Sequence, residues 1–157
     1  MGSDKLAEQL TRYAGYHRDR RNVITHMVGI PMIVLAVVTL LSRPDFTVMQ
    51  LSLAPATVLT VAACIYYLVM DSRLGILLTV WLLASLAIAT CLARQTTAIW
   101  VTSALSLFIT GWILQFIGHF FEGRKPAFFD DLRSLSTGPV FVAQELLKLF
   151  SASRNRH

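Results

Sequence analysis

The chain has 157 residues, of which 55% are hydrophobic and only 15% are charged, and its mean hydropathy is +0.59. A soluble domain carries about 25% charged residues, so this composition is not that of an ordinary soluble protein and favours a single membrane domain over residues 1–157. Because five of the 14 Lys and Arg residues lie in residues 1–21 and six in residues 124–156, on either side of the apolar middle, the net charge of +5 favours contact with anionic lipid and argues against a nucleic-acid partner.

Residues 1–21 predict a helix that precedes the membrane. Four apolar stretches then predict transmembrane helices, each close to the length of about 20 residues that crosses a hydrocarbon core. They are residues 23–41, 51–70, 74–93 and 98–121. The last stretch is followed by the text EGRKP, in which a glycine, two basic residues and a proline are typical of a helix end.

The flanking basic residues predict the orientation of these helices. The N-terminal segment, the turn at residues 71–73 and the C-terminal segment carry 12 Lys and Arg residues, and the two opposite loops carry only Arg43 and Arg94. By the positive-inside rule, both termini lie in the cytoplasm. Residues 122–157 then form a cytoplasmic tail, in which residues 139–150 predict an amphipathic helix at the interface with a proline in its first turn. The predicted fold is an all-α integral membrane protein with four transmembrane helices, a cytoplasmic N-terminal helix and a C-terminal interfacial helix.

Polar side chains that can bind a metal stand at the ends of the apolar stretches. They are His17, His26, Asp71, His119 and Glu122. With four crossings, all of these ends lie on the same side of the membrane, so the residues form one candidate metal site. Three histidines with one or two carboxylates suit iron, zinc or manganese, and ligand type alone does not choose among them.

The last apolar stretch carries the most compact part of this pattern. Gln115, His119 and Glu122 are four and three residues apart, so they form one stripe on a helix. A His and a carboxylate at i, i+3 are the pair that di-iron carboxylate bundles present inward, and Gln115 could orient them by hydrogen bonding. In the alternative interpretation, His119 and Glu122 are ordinary interfacial residues at a helix end.

The first two histidines converge only if the chain bends. His17 and His26 are nine residues apart, which places them on opposite faces of a straight helix. The charged run at residues 18–21 is the predicted place for a turn between them. Asn22 lies four residues before His26 and shares its face. Asp71 has a simpler alternative role as a helix cap at a tight turn.

Two other functions stay open on the same residues. A haem-binding or electron-transfer bundle would use His26 and His119 as axial ligands from two helices. A non-enzymatic membrane scaffold or small transporter would use the polar residues only as helix caps. The sequence contains no Gly-x-Ser-x-Gly elbow, phosphate loop or dinucleotide fingerprint, so these polar residues are the only predicted catalytic groups.

Three stretches of the chain carry a family resemblance. Residues 16–31 contain Tyr-His-x4-Asn-x3-His-x2-Gly-x-Pro, residues 67–71 contain Tyr-x3-Asp, and residues 111–127 read GWILQFIGHFFEGRKPA. In these motifs the chain resembles the small membrane 2-hydroxy-fatty-acid dioxygenases, a family that includes the yeast α-oxidation enzyme of the phytosphingosine pathway and its bacterial relatives. The likeness covers nearly the whole chain, and the motif around His119 is its most specific part.

The resemblance implies an iron(II)-dependent dioxygenase of lipid metabolism that carries out fatty-acid α-oxidation. A 2-hydroxy fatty acid and dioxygen would yield a fatty acid one carbon shorter, without 2-oxoglutarate and without haem. His17, His26 and His119 are the implied iron ligands. Glu122 and Asp71 match family positions as ligands or as residues behind the ligands, and the motifs leave open whether one or two irons are bound.

Supporting residues and a location are predicted as well. The side chains expected behind the ligands are those of Asn22, Gln115 and Tyr67. The arginines that could hold the substrate carboxylate at the membrane face, or contact lipid headgroups instead, are Arg18, Arg20, Arg21 and Arg124. A bacterial member would lie in the inner membrane among lipid, and the sequence does not indicate its oligomeric state.

Overall fold

The computed structural model describes residues 11, 15, 19–43, 46–48, 51–123, 125 and 134–154. Within these residues the chain forms five helices and one short two-stranded hairpin. The helices are α1 (Arg20–Leu41), α2 (Pro55–Met70), α3 (Ser72–Ala93), α4 (Thr97–Glu122) and α5 (Ser134–Arg154), and the strands are β1 (Phe46–Val48) and β2 (Leu51–Leu53). The predicted N-terminal helix over residues 1–21 falls mostly outside the described residues.

Three of the helices are long and apolar enough to cross a membrane, namely α1, α3 and α4. Their ends match three of the predicted spans to within three residues. Large apolar side chains on them face outward, including Val80, Ile109 and Phe120, which is 82% exposed. A soluble monomer rarely exposes so much contiguous apolar surface, and a hydrocarbon environment accounts for it. These helices therefore support a membrane protein.

The predicted second span, residues 51–70, is wrong at its start. Helix α2 has 16 residues and is about 24 Å long, shorter than the hydrocarbon core of about 30 Å. Residues 51–53 instead pair with residues 46–48 as antiparallel strands. Apolar and polar residues alternate in both segments, which favours strands, and Pro55 occupies the first helical turn, where its missing N–H costs no hydrogen bond. A hairpin is thus added to the predicted all-α fold, and four full crossings are not confirmed.

The chain divides into two compact units, one made of Met1–Ile30 with Ile113–His157 and the other of Pro31–Trp112. In the second unit, small side chains of Ala56 and Ala89 pack with Val38. Gly75 lies so close to the end of α2 that a Cβ there would come within 2.6 Å of the Tyr67 carbonyl oxygen. The turn between α2 and α3 is therefore tight.

Helix α5 belongs to the first unit and differs from its prediction. It begins at Ser134, five residues before Pro139, which lies inside the helix and not in its first turn. Residues 137–143 are all buried. A helix lying at the membrane interface would bury only one face, at every third or fourth residue. The predicted interfacial placement is therefore wrong for residues 137–143. Exposed residues return at Leu147–Leu149.

Candidate functional site

The start of α1 is set by Asp19. The Asp19 backbone is bent, its carbonyl accepts a hydrogen bond from the Val23 N–H at 3.1 Å, and its Oδ1 accepts one from the Arg21 N–H at 2.8 Å. An aspartate in this role satisfies N–H groups that the first helical turn leaves without partners. The chain is therefore bent at Asp19, within the charged run where a turn is predicted. His17 lies outside the described residues, so its convergence with His26 stays a prediction.

The end of α4 is set by Gly123. Its φ of +69° is in the left-handed region that favours glycine, and its N–H donates to the His119 carbonyl at 3.0 Å. This is a common way to end a helix, and it satisfies a carbonyl of the last turn. The predicted helix end after Glu122 is thus confirmed. His119 and Glu122 lie in the final turn, and Gln115 lies one turn earlier.

The structure brings His26 and His119 together in the first unit. Their side chains are almost fully buried, with 1% and 6% of each residue exposed. The two imidazole rings meet edge to face, with ring centres 4.8 Å apart and planes at 84°. The two buried rings therefore bring four imidazole nitrogens together in one part of the first unit.

A hydrogen bond determines which nitrogen of His26 can bind a ligand. His26 Nδ1 lies 2.9 Å from the backbone carbonyl oxygen of Asn22. A carbonyl can only accept, so Nδ1 carries a proton, and in the neutral imidazole Nε2 keeps its lone pair. Histidines that bind metals usually donate their other N–H to a carbonyl or carboxylate in this way. If His26 binds a metal, Nε2 is therefore the nitrogen that would hold it.

Gly118 allows the two histidine-bearing helices to approach. A Cβ at this position would overlap the Thr25 Oγ1 and the Asn22 Oδ1 and would lie 3.2 Å from His26 Nδ1. Only glycine leaves room for α1 against α4 here, since every other residue carries a Cβ. The motif of residues 111–127 includes Gly118, but sequence reasoning assigned no packing role to this glycine.

Glu122 connects the same two helices. Its Oε2 accepts hydrogen bonds from the Asp19 backbone N–H at 2.8 Å and from the Asn22 Nδ2 at 3.2 Å. Asp19 directly precedes α1 and Asn22 lies in its first turn, so the carboxylate is held at the start of that helix. Sequence reasoning also missed Asp19, although an acidic residue before an apolar helix is a common cap.

Gln115 is buried, with 6% of its surface exposed, and its Nε2 has no hydrogen-bond partner among the described residues. A buried donor in this state costs about 1–3 kcal/mol relative to a satisfied one. Gln115 lies on the same helical stripe as His119, one turn away. It is therefore available as a donor to a molecule bound beside the histidines.

Asp71 and Tyr67 lie in the second unit. The Asp71 side chain accepts from the Leu74 N–H at 2.9 Å and caps α3, and its own N–H donates to the Tyr67 carbonyl at 3.0 Å. The alternative role predicted for Asp71, as a cap at a tight turn, is thus the one observed. Tyr67 is 7% exposed.

Two of the four arginines predicted to contact substrate or lipid, Arg20 and Arg21, lie within the described residues. Arg21 forms an ion pair with Asp19 at 2.9 Å, and its guanidinium lies 4.2 Å from the centre of the Phe121 ring. Hydrogen bonds from the Arg21 side chain and backbone lower the pKa of Asp19. Arg20 is exposed, and Arg18 and Arg124 lie outside the described residues. Arg21 is thus occupied by residues of the protein itself.

The donor set fits a metal ion in part. Within the described residues, no group of three or more His, Cys, Asp or Glu side chains is close enough to hold a metal. His26 and His119 supply two imidazoles, which suit iron, zinc or manganese. The third predicted histidine, His17, is outside the described residues, so the fit rests on the two buried rings and the Nδ1 hydrogen bond of His26.

The chain matches a known protein family over almost its full length. The family described as 2-hydroxy-palmitic acid dioxygenase Mpo1-like matches residues 3–150. The 2-hydroxy-palmitic acid dioxygenase MPO1 of Saccharomyces cerevisiae is 33% identical over 145 residues, which cover 90% of this chain and 79% of the yeast protein. No solved structure matches the chain. The chain therefore belongs to the 2-hydroxy-palmitic acid dioxygenase Mpo1-like family.

Proposed function

We propose that the protein is an iron(II)-dependent dioxygenase that carries out α-oxidation of 2-hydroxy fatty acids at the cytoplasmic face of a bacterial inner membrane. The observation that carries the proposal is the pair of buried histidines, His26 and His119, with ring centres 4.8 Å apart. Membership of a family whose yeast relative is named for 2-hydroxy-palmitic acid supplies the substrate class. The basic flanks of the apolar helices supply the orientation.

The reaction balances with dioxygen as the only oxidant. A 2-hydroxy acid, R–CH(OH)–COOH, and O₂ give R–COOH, CO₂ and H₂O. The C1–C2 bond breaks, C2 gains an oxygen, and the four electrons lost by the substrate reduce both oxygen atoms. The proposed reaction therefore needs no 2-oxo acid and no external reductant.

The chain's own side chains would hold the metal and the substrate. When bound, iron(II) supplies the one-electron chemistry that lets dioxygen react with a closed-shell organic acid. His26 would hold it through Nε2, and His119 would supply the second imidazole. Burial of both rings excludes water from the reacting groups, which strengthens every charge interaction there. The remaining ligands, including His17, stay a prediction, as does the number of irons.

The separation of the two rings supports a non-haem ion over haem. The ring centres of His26 and His119 are 4.8 Å apart. Two imidazoles this close leave no room for a macrocycle between them, whereas both would be able to hold one small metal ion.

Gln115 would bind the polar head of the substrate. Its buried Nε2 can donate to the carboxylate or hydroxyl oxygen of a 2-hydroxy acid held beside His119. The acyl chain would lie along the apolar outer surface of α4, where Phe116 and Phe120 are 49% and 82% exposed. A lipid substrate can enter such a site from the bilayer without crossing water.

The test is product analysis with purified protein loaded with iron(II) under nitrogen. With 2-hydroxypalmitate and air, mass spectrometry should find pentadecanoate and CO₂, with neither under nitrogen. His119→Ala should abolish the product, and His157→Ala, which lies beyond the residues matched by the family, should leave the rate unchanged. Equal product from His119→Ala and the unmodified protein would refute the assignment.

A further inference from the structure

A hydrogen-bonded helix cap joins the start of α1 to the end of α4. In a capping box, the N-cap side chain accepts from the first helical turn, and a Glu or Gln three residues later accepts from the N-cap N–H. In α1 the N-cap is Asp19, and Asn22, three positions later, donates its Nδ2 to Glu122. Glu122, 103 residues from Asp19, supplies the missing acceptor and accepts from the Asp19 N–H at 2.8 Å.

The same carboxylate reaches His26 through Asn22. Glu122 Oε2 accepts from Asn22 Nδ2 at 3.2 Å, and the Asn22 backbone carbonyl accepts from His26 Nδ1 at 2.9 Å. An ionised carboxylate can only accept a hydrogen bond, so the Asn22 side chain must turn its NH₂ group, and not its oxygen, toward Glu122. Glu122 lies three residues after His119 on α4. One chain of hydrogen bonds thus links the helix of His119 to the ring of His26.

We propose that Glu122 is a positioning residue, and not a metal ligand, which sets the separation of His26 and His119 by completing the cap of α1. The effect of Glu122 on metal affinity rests on the proposed function, whereas its role in the helix cap rests only on the hydrogen bonds to Asp19 and Asn22. Two measurements test the cap and the metal affinity separately.

The discriminating variants are Glu122→Gln and Glu122→Ala. The glutamine keeps an oxygen that can accept from Asp19 and Asn22 but is a poor replacement for a ligating carboxylate, whereas alanine removes both abilities. Glu145→Ala is the matched control, since it removes a carboxylate of α5 that pairs with Lys148 at 2.6 Å on the surface. The conservative variant should therefore behave like the unmodified protein only if Glu122 acts as an acceptor.

The first measurement is hydrogen exchange of the Asp19 amide in metal-free protein. Glu122→Ala should accelerate exchange by about 10-fold or more, because a hydrogen bond to a charged group is lost, with Glu122→Gln and Glu145→Ala close to the unmodified rate. Unchanged exchange in Glu122→Ala would overturn the cap. This arm holds whether or not the protein binds iron.

The second measurement is the Kd for Co(II), used as an air-stable probe of the iron site, from its visible spectrum. Glu122→Ala should raise the Kd by about 10–100-fold, the usual effect of removing a group that orients a ligand, and Glu122→Gln should raise it by less than about 3-fold. Loss of Co(II) binding in Glu122→Gln with a protected Asp19 amide would make Glu122 a ligand and overturn the proposal. If the unmodified protein binds no Co(II), the proposed function and the effect of Glu122 on metal affinity are both overturned. The hydrogen-exchange rate of the Asp19 amide then still tests whether Glu122 completes the helix cap.

Discussion

Gly118→Ala should loosen the contact between α1 and α4 at the histidine pair. The added methyl group would overlap the side chains of Thr25 and Asn22. Neither can move freely, because Thr25 Oγ1 donates to the Asn22 carbonyl at 2.8 Å and Asn22 Nδ2 donates to Glu122 at 3.2 Å. The helices must separate or these bonds must break.

The expected cost follows from two opposing effects. Overpacking of a close contact typically costs about 1–3 kcal/mol, and broken hydrogen bonds to Asn22 add about 1 kcal/mol or more. Replacing glycine by alanine in a helix returns about 1 kcal/mol. The net destabilisation should be about 2 kcal/mol. Separation of the rings of His26 and His119 should also lower iron affinity.

The assay is thermal unfolding in detergent followed by circular dichroism, with iron binding measured on the same samples. Ser106→Thr is the control, since it adds one methyl group to α4 at an exposed position. Combining Gly118→Ala with Thr25→Ala removes one of the overlaps, so the double variant should be more stable than the sum of the two single effects predicts. If Gly118→Ala has the melting temperature and iron affinity of the unmodified protein, the close approach of α1 and α4 is wrong.

Three further substitutions test other parts of the structure. Gln115→Leu should raise the KM for 2-hydroxypalmitate about 10-fold, because a hydrogen bond to the substrate is lost. Its thermal stability should stay equal or rise, because a buried unsatisfied donor is removed. A lower stability with an unchanged KM would contradict this role. Asp71→Asn should keep stability and iron content, since asparagine also caps helices, and Asp71→Ala should lose about 1 kcal/mol of stability; loss of iron from Asp71→Asn would identify a ligand instead. Trp100→Phe should cost about 1 kcal/mol in thermal unfolding, because the indole Nε1 donates to the Thr39 carbonyl at 2.7 Å, with no effect on turnover.

The helices were largely predictable because long apolar runs bounded by charges have few alternatives. The end of α4 at Gly123 followed from the glycine, basic and proline residues that succeed it. Sequence reasoning does not identify the hairpin before α2, because each strand has only three residues. Judged by composition alone, these mostly apolar residues look like the first turn of the helix that follows. Pro55 was the overlooked sign of where that helix begins.

The candidate site was predictable in its residues more than in its contacts. The i, i+3 and i, i+4 spacings placed His119 with Glu122 and Asn22 with His26, since these depend only on helix geometry. The hydrogen bond from Asp19 to Glu122 spans 103 residues, and no local pattern reports which surfaces of two distant helices will meet. The same holds for Gly118, whose importance lies in the atoms of α1 facing it.

The central claim is that the buried pair His26 and His119 binds the iron that the reaction uses, and anaerobic iron(II) titration of purified variants tests it most directly. The unmodified protein and His157→Ala should bind iron with the same stoichiometry and affinity. His26→Ala and His119→Ala should each lose at least about 100-fold in affinity while retaining their helical circular dichroism spectrum. Unchanged iron binding in both of these variants would contradict the account.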